Sequence, residues 1–163
     1  MKTLLIVYYS RTGAARQMAR AAADGAASEP EVATRVLIAT EAGPDDLLGA
    51  DGYIFAMPEN LAAIAGGMKE FFDRCYYPVL DRLNGRAYAL LIAAGSDGSN
   101  AARQAARIAT GWRLRAVAEP LIVCTHAQSP EAILAPKSVP SAELARCREI
   151  GTALAVGLAA GIY

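Results

Sequence analysis

Unbroken apolar runs alternate with stretches of helical period along the whole chain. Lys2 to Tyr9 is apolar without alternation, the pattern of a strand buried on both faces, and this strand is expected at the centre of a sheet. Ala15, Met18, Ala19, Ala22 and Ala26 then recur at i, i+3, i+4 spacing. They predict a helix over about Gly13 to Ala27 whose small side chains let it lie close to that sheet. Further strands are expected at Val32 to Ile38, Gly52 to Met57, Ala87 to Ala94 and Arg115 to Cys124. Gly43-Pro44-Asp45-Asp46 supplies stop and start signals for a short helix through Leu48. A longer helix is predicted over about Gly66 to Leu83 with Met68, Phe71, Phe72 and Cys75 inward, and Pro78 should break or kink it. Gly95-Ser96-Asp97-Gly98-Ser99 turns tightly into a helix over about Asn100 to Thr110, and a last helix runs from about Ser141, an N-cap candidate with Glu143 nearby, to Ala160.

Five strands alternating with about five helices predict an α/β doubly wound, three-layer sandwich with a parallel sheet. Such sheets bind ligands beyond the carboxyl ends of their strands, where the strand order reverses. The loops after Tyr9, Met57 and Ala94 therefore matter most.

Composition narrows the picture. At 163 residues, one domain over 1–163 is expected, with no linker or repeat to divide it. Sixteen Lys and Arg cancel sixteen Asp and Glu, which removes nucleic acid and anionic membranes as default partners. Cys75, Cys124 and Cys147 are odd in number and far apart, so neither a disulfide framework nor a metal site is expected. The opening apolar run ends at Ser10-Arg11 without a small-residue cleavage site, and Ile150 to Ile162 is shorter than the roughly 20 residues that span a bilayer. A cytoplasmic protein is expected.

The first loop, Ser10-Arg11-Thr12-Gly13-Ala14-Ala15, carries the clearest chemistry. Free amides at a helix N-terminus, with two hydroxyls and a glycine that permits close approach, make a phosphate cradle. The alternative is a plain strand-to-helix turn with a hydroxyl cap. The phosphate motifs GxxxxGK[ST] and GxGxxG are both absent, and Tyr8-Tyr9-Ser10 stands where a response-regulator receiver needs acidic residues. Glu59 and Asn60 follow Pro58 and are either hydrogen-bonding contacts for a ligand or turn residues. His126, the sole histidine, is either a group that polarises a carbonyl or takes a proton, or a solvated loop residue. Tyr76-Tyr77 reads as core or subunit interface, and Arg103 and Arg107 read as a solvated face or a phosphate-attracting pair.

Ser10-Arg11-Thr12-Gly13 resembles the SxTG phosphate loop of the flavodoxin-like superfamily, and Asp51 to Pro58 looks like its third strand and following loop. Gly66-Gly67-Met68-Lys69-Glu70-Phe71-Phe72-Asp73-Arg74 is similar to the G-x-M/L-K-x-F-x-D-R helix of flavin reductases and WrbA-type quinone reductases. The resemblance covers roughly Lys2 to Val123. It implies a flavodoxin-like fold with five strands in the order 2-1-3-4-5. It also implies an FMN with its phosphate on Ser10, Arg11, Thr12, Gly13, Ala14 and Ala15 and its ring against Pro58, Glu59, Asn60, Leu61, Ala94, Gly95, Ser96 and Gly98. The implied activity is NAD(P)H-dependent transfer through FMN to a quinone or similar small acceptor, with the flavin rather than a protein acid or base carrying the chemistry, in a homodimer or higher homo-oligomer. The chain departs from the pattern at Ala15, where many members carry a hydroxyl, and at Leu61-Ala62-Ala63, where many place an aromatic side chain. A flavodoxin-like carrier of single electrons and a domain that has lost its flavin are the competing readings.

Overall fold

A computed structural model describes residues 1–163. Its elements in chain order are β1 (Lys2–Tyr8), α1 (Ala14–Ala26), β2 (Val32–Ile38), α2 (Pro44–Leu48), β3 (Gly52–Asn60), β4 (Ala63–Ile64), α3 (Gly66–Val79), β5 (Ala87–Ala94), α4 (Ser99–Gly111), β6 (Arg115–Ala116), β7 (Leu121–Cys124), α5 (Pro130–Leu134) and α6 (Ser141–Ala159). The sheet runs β2-β1-β3-β5, with β6 and β7 both alongside β5, and every pair in it is parallel except the β3–β4 hairpin. Counting β6 and β7 as one interrupted strand, this is the expected order, with β3 rather than β1 in the middle.

Strand side chains alternate faces, and here the two faces differ in kind. Leu5, Val7, Tyr53, Phe55, Met57, Tyr88, Leu90 and Ile92 pack with α2, α3 and α4, where Phe71, Phe72 and Trp112 complete an aromatic core. Leu4, Ile6, Ile54, Ala56, Ala89, Leu91 and Ala93 face α1 and α6. Small residues on that side let the layers close up. A Cβ on Gly25 would lie 2.1 Å from the Arg148 carbonyl oxygen, and one on Gly151 would lie 1.9 Å from that of Ala22, so α1 and α6 touch through their backbones.

Several expectations are corrected. The strand predicted over Arg115 to Cys124 is broken, because Ala87 lies opposite Arg115, a separation of 28, while Leu91 lies opposite Leu121, a separation of 30. Two extra residues bulge out, and Pro120 brings no N–H to that stretch of the ladder. The helix expected to reach Leu83 ends at Val79, one residue beyond Pro78, which has no N–H to donate to the Arg74 carbonyl. Ser141 is the first helical residue of α6, whose N-cap is Pro140, with no side-chain cap bond. β4 and α5 were not foreseen.

Candidate functional site

A narrow cleft opens at the carboxyl edge, where β1 connects to β2 on one side of the sheet and β3 lies on the other. Its walls join all three expected loops: Ser10, Arg11, Thr12, Ala14 and Ala15 after β1, Pro58, Glu59 and Asn60 at the end of β3, and Ala94 and Gly95 at the end of β5.

The first wall is made of backbone donors. Ser10 Oγ accepts the Gly13 amide at 3.1 Å and so closes the loop on itself. Gly13 caps α1 at φ 102°, a left-handed conformation that glycine adopts freely. The amides of Arg11, Thr12, Ala14 and Ala15 donate to no acceptor in the protein, and they lie at the N-terminus of α1, where its dipole favours an anion. This set of donors fits a terminal phosphate. Ala15 is 2% exposed and contributes an amide but no side-chain donor.

The second wall carries an acceptor. Glu59 lines the cleft, and its Oε2 is buried without a hydrogen-bond partner. A buried orphan acceptor costs about 1 to 3 kcal/mol, a cost relieved by a ligand N–H such as a flavin ring imide provides. Both observations meet the demands of FMN, a phosphate at one end and a ring N–H at the other.

Not every expected residue lines the cleft. Beyond Glu59-Asn60 the chain turns through Leu61 (φ 51°) and Ala62 (φ 59°) into β4, a tight hairpin in which two non-glycine residues are left-handed. Asn100 Nδ2 donates to Ala62 O at 2.5 Å, and Gln104 Oε1 accepts the Ile64 amide at 2.9 Å, so α4 holds the turn in place. Leu61 therefore points into solvent, fully exposed, instead of covering the cleft. Ser96 is exposed, and Gly98 is a packing position, since a Cβ there would lie 2.7 Å from Ile122 Cγ2. His126 is exposed, with φ 58°, and is anchored through its amide to Gly95 O at 2.8 Å; its ring forms no part of the cleft wall.

Thr125, Ala127, Ile133 and Lys137 complete the wall and were missed. Ser129-Pro130-Glu131 was the available signal: Ser129 Oγ accepts the Ala132 amide at 3.2 Å and Pro130 opens α5. The motif residues of α3 act at a distance from the cleft. Tyr9 packs its ring against Gly67, where a Cβ would come within 2.1 Å of it, and Arg74 donates to Ala42 O at 2.5 Å and to Ala39 O at 2.8 Å, bracing the β2–α2 connection. The larger groove of about 1010 Å³, between α3 and α4, has no free-amide cradle, and its Lys69 is paired with Asp73, so size does not mark the site. Tyr76 stacks on Trp112 at 5.8 Å, as core, while Tyr77 is exposed. No cluster of His, Cys, Asp or Glu could hold a metal ion, and no helix is long and apolar enough to cross a membrane.

Comparison with known proteins agrees with this geometry. Residues 39–128, just over half of the chain, match the family described as NADPH-dependent FMN reductase. A flavodoxin of Aquifex aeolicus is 33% identical over 101 residues, 61% of this chain and 55% of its own. An NAD(P)H dehydrogenase (quinone) of Acidithiobacillus ferrooxidans is 34% identical over 94 residues, 45% of this chain and 47% of its own. The chain thus spans about half the length of these relatives. Among solved structures, an archaeal flavodoxin superposes with TM-score 0.79 at 18% identity, over 96% of this chain and 99% of its own. A WrbA-like flavodoxin of Agrobacterium tumefaciens gives 0.74 at 19%, over 96% of both chains. At these identities the structures show a common fold, and that fold is flavodoxin-like.

Proposed function

Starting from the family to which this chain belongs, the NADPH-dependent FMN reductases, we propose that it holds FMN at the carboxyl edge and serves as an NAD(P)H-dependent oxidoreductase acting on a quinone or other small acceptor. The observation that carries this reading is the union, in one cleft, of four unspent amides and the orphaned Glu59 carboxylate oxygen.

FMN, when bound, supplies the hydride chemistry. The chain's own part is to bind and orient. The amides of Arg11, Thr12, Ala14 and Ala15 hold the phosphate, Glu59 accepts a ring N–H, and Pro58, Asn60, Ala94, Gly95 and the outward-turned Leu61 leave the ring face open to a reductant. Ser96, Gly98 and Gly13 shape the loops that do this. His126 is given no role.

The Aquifex relative favours a second reading, an electron carrier. A carrier that docks through an acidic surface sits poorly with a net charge of zero. The same proposal places one domain over 1–163 in the cytoplasm, which keeps three free cysteines reduced, and pairs two copies through the exposed Tyr77.

The test is anaerobic. Protein loaded with FMN should oxidise NADH or NADPH with benzoquinone as acceptor. Binding of FMN without such turnover assigns the chain to the carrier class, and failure to bind FMN removes both readings.

A further inference from the structure

After α5 the chain recrosses the loop that follows β1 as a strap over residues 135–139. The Lys137 amide donates to Thr12 O at 2.8 Å. Gln17 of α1 clamps the strap from below: its Nε2 donates to Gly13 O at 3.0 Å and Lys137 O at 2.8 Å, and its Oε1 accepts the Val139 amide at 3.0 Å. The backbone of Lys137 is thus tied to the same turn that carries the free amides.

Lys137 is one of the residues that line the cleft with Ser10 and Thr12. The ammonium donates to the carbonyls of Ala132, Ile133 and Ala135 at 2.7, 2.8 and 2.6 Å, and no carboxylate lies within 4.0 Å of it. Neutral carbonyls satisfy its three N–H groups and leave its charge uncompensated. From a Cα fixed beside Thr12, a flexible four-carbon stem can carry that charge to the amide cradle. The cradle itself has no side-chain donor at Ala15.

We propose that Lys137 is the specificity-determining cation of this cleft: it bonds the terminal phosphate of the flavin nucleotide and sets the preference for FMN over the same flavin without its phosphate. The proposal rests on the FMN reading above. Binding exchanges neutral N–H···O=C bonds for charge-assisted ones to a dianion, which are roughly twice as strong. Gln17 is the positioning residue, acting through the strap.

Flavin fluorescence titrations of the full chain with FMN and with riboflavin test this, in the wild type, Lys137→Met and Lys137→Arg, with folding of each variant checked by circular dichroism. The wild type is expected to favour FMN. Lys137→Met is expected to lose about 10- to 100-fold of its FMN affinity, the worth of a charge-assisted bond, with riboflavin unchanged, and Lys137→Arg is expected to retain most of the preference. Equal losses for both flavins would make Lys137 a structural cap of α5 and overturn the proposal. An undiminished FMN preference in Lys137→Met would overturn it while leaving the FMN reading intact, and a wild type that binds neither flavin would overturn both. Should Lys137→Met not fold, the wild type alone decides: FMN affinity must fall with added salt while riboflavin affinity does not, and parallel behaviour refutes the proposal.

Discussion

Asp51 joins two strands through one carboxylate, accepting the Thr3 amide at 2.8 Å and the Lys2 ammonium at 3.0 Å. Burial pulls its pKa upward, but the Thr3 bond and Lys2 outweigh that pull and hold it below the usual 3.8. A carboxylate depressed in the folded state stabilises fully above its unfolded pKa, and the stabilisation drains away as pH falls through the folded value. Asp51→Ala should therefore be less stable than the wild type at pH 6, with the gap in denaturation midpoint closing below about pH 4. The gap should be small, because the side chain is 36% exposed. Glu59 behaves in the opposite sense. Its orphaned oxygen is a cost the fold bears for the site, so Glu59→Leu should raise the thermal midpoint by about 2 to 12 °C while weakening FMN binding. A Glu59→Leu protein that melts lower and binds FMN as well as before would dismiss that role. At Gly13, valine would force a β-branched residue into φ 102°. Isothermal titration of a folded Gly13→Val protein should show FMN affinity lowered at least tenfold, or about 1.4 kcal/mol.

At the scale of elements, α1 and α6 are held by glycines that admit a neighbouring backbone. Gly151→Ala places a methyl group 1.9 Å from the Ala22 carbonyl oxygen, where backbone, not a pliant side chain, must give way. Denaturant titration should show a loss of about 1 to 3 kcal/mol, the usual cost of overpacking. Gly66 is the control. It opens α3 with nothing within 4 Å of an added Cβ, so alanine there should be neutral or stabilising, by up to about 1 kcal/mol. The helical stripe of α1 was legible in the chain because Met18 and its alanines repeat at a helical period that burial then obeys. The hairpin at Leu61-Ala62 was not, since nothing in those two residues asks for left-handed backbone; Asn100 and Gln104, some 40 residues away, impose it. The strap was invisible for the same reason, because Gln17 and Lys137 are joined across 120 positions. Ser10 to Ala15 stood out in the sequence as a strand-to-helix loop with two hydroxyls and a glycine, whereas the strap tied to it through Lys137 did not.

For the molecule as a whole, the two faces of the sheet divide the labour. The aromatic face against α2, α3 and α4 fixes the strands, and the alanine face lets α1 lie close enough for its first turn to meet the ends of β3 and β5. The cleft assembled there is only about 80 Å³, against roughly 300 to 1000 Å³ for sites that enclose small molecules, and Ile133 and Lys137 form part of its wall. A flavin held there would have to widen the cleft, so its entry and strap movement would be linked, and binding would have to repay the strap's contacts before it stabilised the fold. A ligand that binds only the native state at a free concentration 100 times its Kd adds about 2.7 kcal/mol. For a chain of 163 residues each kcal/mol raises the midpoint by about 2 to 4 °C, so FMN at that ratio should raise it by about 5 to 11 °C. Thermal scans across an FMN series measure this directly. The midpoint should climb with the logarithm of free FMN once Kd is passed, and protease cleavage within residues 127–139 should change in the same concentration range. A midpoint indifferent to FMN at millimolar concentration would mean that this chain keeps the flavodoxin-like fold and the cradle but no longer uses them for a flavin.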